Sequence, residues 1–201
     1  MNKSTLDGLL DRVHDLQLEL EQEMDKLLVA KRLQFRYQLL SGKVRFERGM
    51  ALLQSRQKVG IFKYITKARL LLLITSPVIY SLIIPFVLLD IMVNLYQIVC
   101  FPIYRIPLVK RRKYLSIDHR HLAYLNMIEK LNCLYCSYAN GLIEFVREIS
   151  ARTEQYWCPI KHAQRTLDPH RMVNNFIDFG DVESYKKELK NIRAALSELE
   201  D

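Results

Sequence analysis

Hydrophobic and polar residues divide the chain into three stretches with different patterns. In the first stretch, apolar residues recur at steps of three and four, as on one face of a helix; they are Leu6, Leu9, Leu10, Val13, Leu16, Leu20, Met24, Leu27 and Leu28. The second stretch, residues 70–104, is almost uniformly apolar, and the third returns to helical periodicity. No alternation is long enough to predict a strand. The pattern predicts an all-α protein with an amphipathic helical arm (residues 1–69), a membrane-embedded segment (70–104) and a C-terminal helical module (105–201).

The apolar stripe of residues 6–28 has to pack against another helix. The companion positions of its heptads are apolar at Leu9 and Leu16 but charged at Glu23, so a coiled-coil seam ends after about three heptads. A packing face and a short coiled coil therefore both fit the pattern. The partner would be another helix of this chain, a second copy that self-associates through residues 6–28, or an unknown protein.

Residues 70–104 are long enough to enter a membrane. They contain one charged group, Asp90, and about 20 apolar residues span the hydrocarbon core as a helix. A buried core helix of this length would need large apolar partner surfaces, which the polar remainder of the chain lacks. A cleaved signal peptide is excluded, because the block begins far from a charged N-terminus. The apolar block therefore predicts membrane insertion.

Basic residues flank the apolar block on both sides. Those assigned to the membrane interface, where they would meet anionic lipid headgroups, are Lys63, Lys67, Arg69, Arg105, Lys110, Arg111, Arg112 and Lys113. Lys and Arg near a span stay on the cytoplasmic side, and the two flanks carry matching charge. The protein is thus expected at the cytoplasmic (inner) membrane with both termini in the cytoplasm.

A chain that enters and leaves on the same side must turn back within the apolar block. Pro77 and Pro85 each remove a backbone donor and offer a place for the turn, which predicts a shallow membrane hairpin. The alternative is one span over residues 70–89, stopped by Asp90 and followed by an interfacial helix over 91–104. Proline is tolerated inside membrane helices, so it does not separate the two topologies.

Asp90 is the intramembrane polar candidate. Burying its carboxylate in hydrocarbon would cost about 2.5–3.5 kcal/mol, and an acid in such a place is a functional candidate. The simpler interpretation puts Asp90 at a headgroup boundary or in a pair with Asn94, one turn further on.

The net charge narrows the class of partner. The formal charge is +8, which favours lipid headgroups, nucleic acid or acidic proteins. From Lys26 to the apolar block, bases and aromatic residues are interleaved, a mixture found in nucleic-acid-binding proteins and at anionic membranes. The adjacent apolar block favours membrane lipids and makes nucleic acid the less favoured partner. Within this stretch, Ser41-Gly42 predicts a break between two helices.

Four residues of the C-terminal module have the spacing of a metal site. Cys133 and Cys136 form Cys-x2-Cys, and Cys158 and His162 form Cys-x3-His. Two thiolates two residues apart in a turn can bind one tetrahedral ion, and three Cys with one His complete a closed zinc site. Pro159 suits the first turn of a helix, which would put the Cys158 thiolate at a helix N-terminus. An iron–sulfur cluster remains an alternative, as does a role of the cysteines as small core residues without metal.

The helices around this cluster are predicted over residues 122–131 and 142–156. His119 is a reserve metal ligand, although its surroundings also fit the start of a helix. Asp181 is expected to cap a last helix over residues 182–199. The remaining charged residues of this region are assigned to solvated helix faces: Glu129, Glu144, Arg147, Glu148, Arg152 and Glu154.

Residues 124–136, Asn140-Gly141 and the stretch Arg-Thr-Glu-Gln-Tyr-Trp-Cys-Pro-Ile-Lys-His at 152–162 resemble a family of uncharacterised bacterial membrane-associated proteins. The resemblance covers roughly residues 100–165. It implies a bacterial origin and the unity of the Cys133, Cys136, Cys158 and His162 cluster. It implies no activity.

The expected function is that of a non-catalytic membrane-anchored scaffold or adaptor with a structural zinc site. The sequence has no phosphate-binding loop, hydrolase elbow or zinc-protease motif. Two alternatives remain open. One is a redox or iron–sulfur protein that uses the cysteines at the membrane surface, and the other is a membrane-tethered nucleic-acid binder.

Overall fold

The protein is mostly helical, as predicted. The computed structural model describes residues 3–40, 43–67, 70–164 and 166–199, without the side chains of 3–7, 9–11, 14, 67, 70 and 72. Besides three short 3₁₀ helices, seven α-helices and two strands follow one another in these residues: α1 (Lys3–Gln34), β1 (Tyr37–Leu40), β2 (Lys43–Phe46), α2 (Arg48–Arg56), α3 (Ile61–Lys67), α4 (Leu70–Ser81), α5 (Ile83–Tyr104), α6 (Met127–Trp157) and α7 (Val182–Ser197).

The two strands depart from the prediction of an all-α chain without strands. β1 and β2 pair antiparallel, with Tyr37 opposite Phe46 and Leu40 opposite Lys43. The rings of Tyr37 and Phe46 lie 5.5 Å apart, a cross-strand aromatic contact that stabilises such a pair. Ser41-Gly42 lies outside the described residues, but the elements on either side of it are strands. The predicted break between two helices is therefore wrong.

The chain divides into two compact units. The first contains the described parts of Met1–Gly60 together with Arg120–Asn126, and the second contains those of Ile61–His119 and Met127–Asp201. The apolar helices α4 and α5 thus belong to the same unit as the C-terminal helices α6 and α7. This grouping differs from the predicted division at residues 69 and 104.

The core of the second unit lies between α5, α6 and α7. Its fully buried apolar residues are Phe101, Ile106, Val109, Leu142, Phe145, Ile149 and Leu196. α5 and α6 run parallel, because contacting pairs advance together along both helices: Asp90–Tyr138, Tyr96–Thr153 and Tyr104–Tyr156. The contact of Tyr80 on α4 with Asn132 continues the same progression. Parallel neighbours need a connection that returns the chain to its starting level.

Residues 105–119, which we call the return segment, make that connection in the second unit. The segment leaves α5 through Arg105, whose left-handed backbone ends the helix. It then runs back along both helices: the carbonyl oxygen of Pro107 accepts a hydrogen bond from Arg152, and the amide of Val109 donates to Gln97. Further along, the backbone passes so close to α6 that a Cβ on Gly141 would lie 2.7 Å from the Tyr114 carbonyl oxygen.

α6 is one long helix that continues through Gly141. The predicted division into two short helices, over residues 122–131 and 142–156, is wrong. The glycine is needed inside the helix because only a residue without a side chain admits the backbone at Tyr114. The Asn140 side chain donates to the Cys136 carbonyl oxygen, 2.9 Å away, and stays in the helical path.

The apolar block folds into α4 and α5 with only Leu82 between them. Leu82 has φ −63° and ψ −13°, and its carbonyl oxygen accepts from Phe86 at 3.2 Å, so the helical path continues. Through the described residues 70–104, the structure contains neither the predicted turn of a hairpin at the prolines nor the alternative stop at Asp90. In place of a hairpin the described residues form one nearly continuous helix, which Asp90 does not interrupt.

Two local features let the helix pass its prolines. Pro77 has no N–H for the carbonyl oxygen of Leu73, and the hydroxyl of Ser76 donates to that oxygen instead, at 2.8 Å. Pro85 lies in the first turn of α5, where backbone N–H groups lack helical partners in any case. The stretch Leu73–Tyr104 is long and apolar enough to cross a membrane, by length and composition.

Asp181 caps α7 as predicted. Its carboxylate accepts hydrogen bonds from the amide and the hydroxyl of Ser184, at 2.9 and 2.6 Å. These hydrogen bonds lower the pKa of Asp181 below its ordinary value.

Candidate functional site

The structure does not bring the four predicted metal ligands together. Cys133 and Cys136 lie in the first half of α6, whereas Cys158 follows its last residue. Cys136 and Cys158 are therefore separated by about 33 Å along one helix, at 1.5 Å per residue. No group of three potential ligands occurs anywhere in the part of the chain that the structure describes. One zinc ion or iron–sulfur cluster cannot bridge that distance, since a thiolate binds zinc at about 2.3 Å.

The surroundings of Cys158 and of His119 also differ from prediction. Cys158 ends α6 rather than starting a helix: its amide donates to the Glu154 carbonyl oxygen at 2.7 Å. Next to it, Ile160 forms an isolated parallel bridge with Ile177. His119, the reserve ligand, lies in a short 3₁₀ helix with its Nδ1 3.4 Å from the Ser137 hydroxyl.

A stripe of polar side chains on α5 faces the return segment and α6. Asp90, Asn94 and Gln97 recur at four and three residues, so they share one side of the helix. Gln97 donates to Asn94 at 3.3 Å, and Asn94 donates to the Asp90 carboxylate at 2.8 Å. The predicted pairing of Asp90 with Asn94 is thereby confirmed. We call these three residues the polar stripe.

Asp90 is the acceptor on which this hydrogen-bond network converges. The guanidinium of Arg111 donates to both of its carboxylate oxygens, at 3.2 and 2.6 Å, and the Tyr138 hydroxyl donates at 2.9 Å. Only 14% of the Asp90 side chain is exposed. Burial raises the pKa of Tyr138 above its ordinary value, and its hydrogen bond to the Asp90 carboxylate raises it further. The network joins α5, the return segment and α6.

Arg111, which was expected at the lipid headgroups, pairs with Asp90 while about 44% of its side chain stays exposed. The sequence offered no spacing signal for this pair, because 21 residues separate its members. Among the other predicted interface residues, those whose side chains are described are all exposed: Lys63, Arg105, Lys110, Arg112 and Lys113. The side chain of Lys67 and the whole of Arg69 lie outside the described residues.

The opposite side of α5 is entirely apolar. Its six large side chains, which we call the outer face, are Leu88, Ile91, Met92, Leu95, Ile98 and Val99, each with more than half of its surface exposed. The polar stripe of α5 therefore faces the interior of the protein, and the apolar outer face points away from it. A contiguous exposed apolar surface marks contact with a membrane or another macromolecule.

A second polar network, in the interior of the same unit, was missed by the sequence analysis. Arg152 is fully buried and donates to Glu148 at 2.9 Å and to the Pro107 carbonyl oxygen at 2.7 Å. Arg171 donates to the same Glu148 oxygen at 2.7 Å. The assignment of Arg152 and Glu148 to solvated helix faces is therefore wrong. Burial alone would raise the pKa of Glu148, but the hydrogen bonds and charges of the two arginines outweigh it and lower that pKa.

Comparison with protein-family models, with curated proteins and with solved structures gives no match. The resemblance to a bacterial membrane-associated family stays a prediction. The interpretation of this site accordingly rests on its own geometry.

Proposed function

We propose that this protein is a membrane-anchored scaffold that attaches to anionic lipids through the outer face of α5 and the adjoining surface of α4. The proposal rests on the orientation of α5, whose polar stripe faces inward and whose apolar outer face points outward. A helix on the surface of a water-soluble protein turns its polar residues outward. Here the polar stripe is satisfied by partners inside the protein, and the outward surface carries only apolar side chains.

α4 extends the same apolar surface. Its exposed residues include Leu71, Ile74, Val78 and Ile79, and the hydroxyls of Ser76 and Ser81 are turned back onto carbonyl oxygens of their own helix. Polar groups that are satisfied within the helix are tolerated in lipid. The exposed bases of the return segment supply the charge that anionic headgroups attract.

The scaffold part of the proposal rests on α1. Every apolar side chain described on this helix is exposed, including Leu16, Leu20 and Leu27. A long helix in water is stabilised mainly by packing of its apolar face. The apolar face of α1 therefore needs a second helix to pack against. A second copy of the chain or another protein would provide it. The scaffold is preferred to the redox alternative because Cys136 and Cys158 lie at different places along α6.

The anchoring is tested by the behaviour of the full chain in membranes. We expect the wild-type protein to float with lipid vesicles of phosphatidylcholine and phosphatidylglycerol and to remain bound after a high-salt wash, because salt screens charges but not apolar burial. The double variant Ile91→Lys/Ile98→Lys should be released. Phe179→Lys, which changes an exposed residue of the same unit, is the matched control and should stay bound. Complete release of the wild type by salt would refute anchoring.

The role of α1 is tested separately in detergent. Leu16→Asp/Leu20→Asp should abolish self-association or the capture of a protein partner, measured as the molar mass of the solubilised protein and its cross-linked products. Membrane binding should persist, because the substituted residues lie in the other unit. If the variant associates as the wild type does, α1 is not the scaffold surface.

A further inference from the structure

We infer that α4 and α5 lie along one leaflet of the membrane, with the outer face immersed among the lipids, and do not cross the bilayer. This inference rests on the proposed anchoring and specifies its geometry. The occupant of the outer face is then an anionic leaflet, whose acyl chains cover the apolar residues while its headgroups contact the basic return segment.

α6 accompanies the apolar helix over most, but not all, of its length. The contacts run from Ile79, whose carbonyl oxygen accepts a hydrogen bond from Tyr135, to Tyr104, whose ring stacks on Tyr156. A crossing α5 would carry charged side chains of α6 into the hydrocarbon, including the exposed Glu144 and its partly exposed partner Arg147. On insertion scales each such charge costs about 2.5–3.5 kcal/mol at the middle of the membrane.

The part of the helix that α6 leaves uncovered is short. α4 extends nine residues beyond its contact at Ile79, which corresponds to about 14 Å of helix. The hydrocarbon core is about 30 Å thick. The uncovered part is therefore too short to span the bilayer without α6.

The basic residues of the return segment lie beside the middle of α5. The return segment places Arg111 beside Asp90 and Val109 beside Gln97, both in the middle of α5. The exposed side chains of Lys110, Arg112 and Lys113 lie in this same stretch of the segment. In a crossing helix they would be near the centre of the bilayer, whereas in an in-plane helix they lie at the headgroups. A helix with one apolar face and a basic flank is typical of interfacial attachment.

The in-plane arrangement also accounts for the charge of both flanks. The bases before α4 and after α5 remain on one side of the membrane without a hairpin turn. Equal basic flanks are what the positive-inside rule expects of two ends that share a compartment.

The first test measures the depth of three outer-surface positions in the full chain. Single cysteines replace Ile84, Leu95 or Ile103, all well exposed, in a background in which Cys100, Cys133, Cys136 and Cys158 are serine. Each carries a spin label and is bound to vesicles of phosphatidylcholine and phosphatidylglycerol. In a crossing helix the first and third labels would lie about 28 Å apart along the bilayer normal, near opposite surfaces, and the label at Leu95 would lie near the centre. In the plane of the leaflet, the three depths should agree to within about one helical turn, 5 Å. A label at Ile143 on α6 is the control and should stay shallower.

The second test uses the unmodified chain, so that it does not depend on the folding of the serine background. Trypsin is added to native membrane vesicles of either orientation. We expect cleavage at both basic flanks in one orientation and at neither flank in the other. Cleavage of opposite flanks in the two orientations, or a label at Leu95 far deeper than its neighbours, would overturn the in-plane arrangement while leaving anchoring intact. Failure to float with the vesicles would overturn the anchoring itself.

Discussion

Arg111 donates two hydrogen bonds to Asp90, at 3.2 and 2.6 Å, and this ion pair fixes the return segment against α5. The carboxylate is largely buried, and the guanidinium is about half exposed. A pair in such a place is worth more than an exposed surface pair, because less water screens it. The pair neutralises the one charged group of an otherwise apolar helix.

Removing either member of this pair should destabilise the second unit. Asp90→Ala and Arg111→Ala should each lower the free energy of unfolding in detergent micelles. The double variant should cost less than the sum of the two, by a coupling energy of about 1 kcal/mol or more. Arg112→Ala, which changes the exposed neighbouring base, is the control and should alter stability by less than about 0.5 kcal/mol. Additive losses would mean that the pair does not hold the segment.

Two glycines inside helices should respond to alanine with opposite signs. Gly8→Ala in α1 meets open space and should raise helix stability by about 0.5–1 kcal/mol. Gly141→Ala would put a Cβ 2.7 Å from the Tyr114 carbonyl oxygen and 3.1 Å from the Leu115 Cα. Displacing that backbone should cost about 1–3 kcal/mol, more than the gain in helix propensity. Thermal unfolding followed by circular dichroism measures both, and stabilisation by Gly141→Ala would contradict the close crossing.

Glu148 should make the second unit sensitive to acid. Its pKa in the folded protein is lowered from an ordinary value of about 4.5, so its stabilising contribution is present above that value and is lost as the pH falls through the folded pKa. Unfolding measured against pH should show a loss of stability below about pH 4.5 that is smaller in Glu148→Gln. At pH 7 the same variant should be less stable by about 1–3 kcal/mol, because two arginines lose a charged acceptor. Parallel pH profiles would exclude this role.

The cysteines should behave as independent thiols. Cys136 and Cys158 are both exposed, and each should react with a maleimide without prior treatment by a chelator. A bifunctional reagent with a reach of about 10 Å should not join them within one chain, because about 33 Å of helix separates them. Mass spectrometry of the modified protein measures both results. One zinc ion per chain that is lost in Cys136→Ser and in Cys158→Ser would contradict the continuous helix.

Local patterns were sufficient where the structure depends on neighbouring residues. The spacing of apolar residues predicted α1, and Asp181 as a capping residue predicted the start of α7. The pairing of Asp90 with Asn94 could be predicted because a helix brings residues four apart in sequence close together. The short alternation of Lys43, Val44, Arg45 and Phe46 was available as a signal for β2 but was too short to compete with the helical interpretation of its surroundings.

The sequence by itself determined the helical class, the apolar block and its basic flanks, since these follow from composition and from contacts within one or two turns. Only the tertiary structure decided that α6 continues through Gly141, that Arg152 is buried and that Arg111 pairs with Asp90. Each of these depends on the path of the return segment, which approaches both helices from positions distant in sequence. A glycine or a charged residue has the same local signature in a loop, on a solvated face or beneath a crossing backbone. Its role is therefore set by the groups that packing brings within a few ångströms of it.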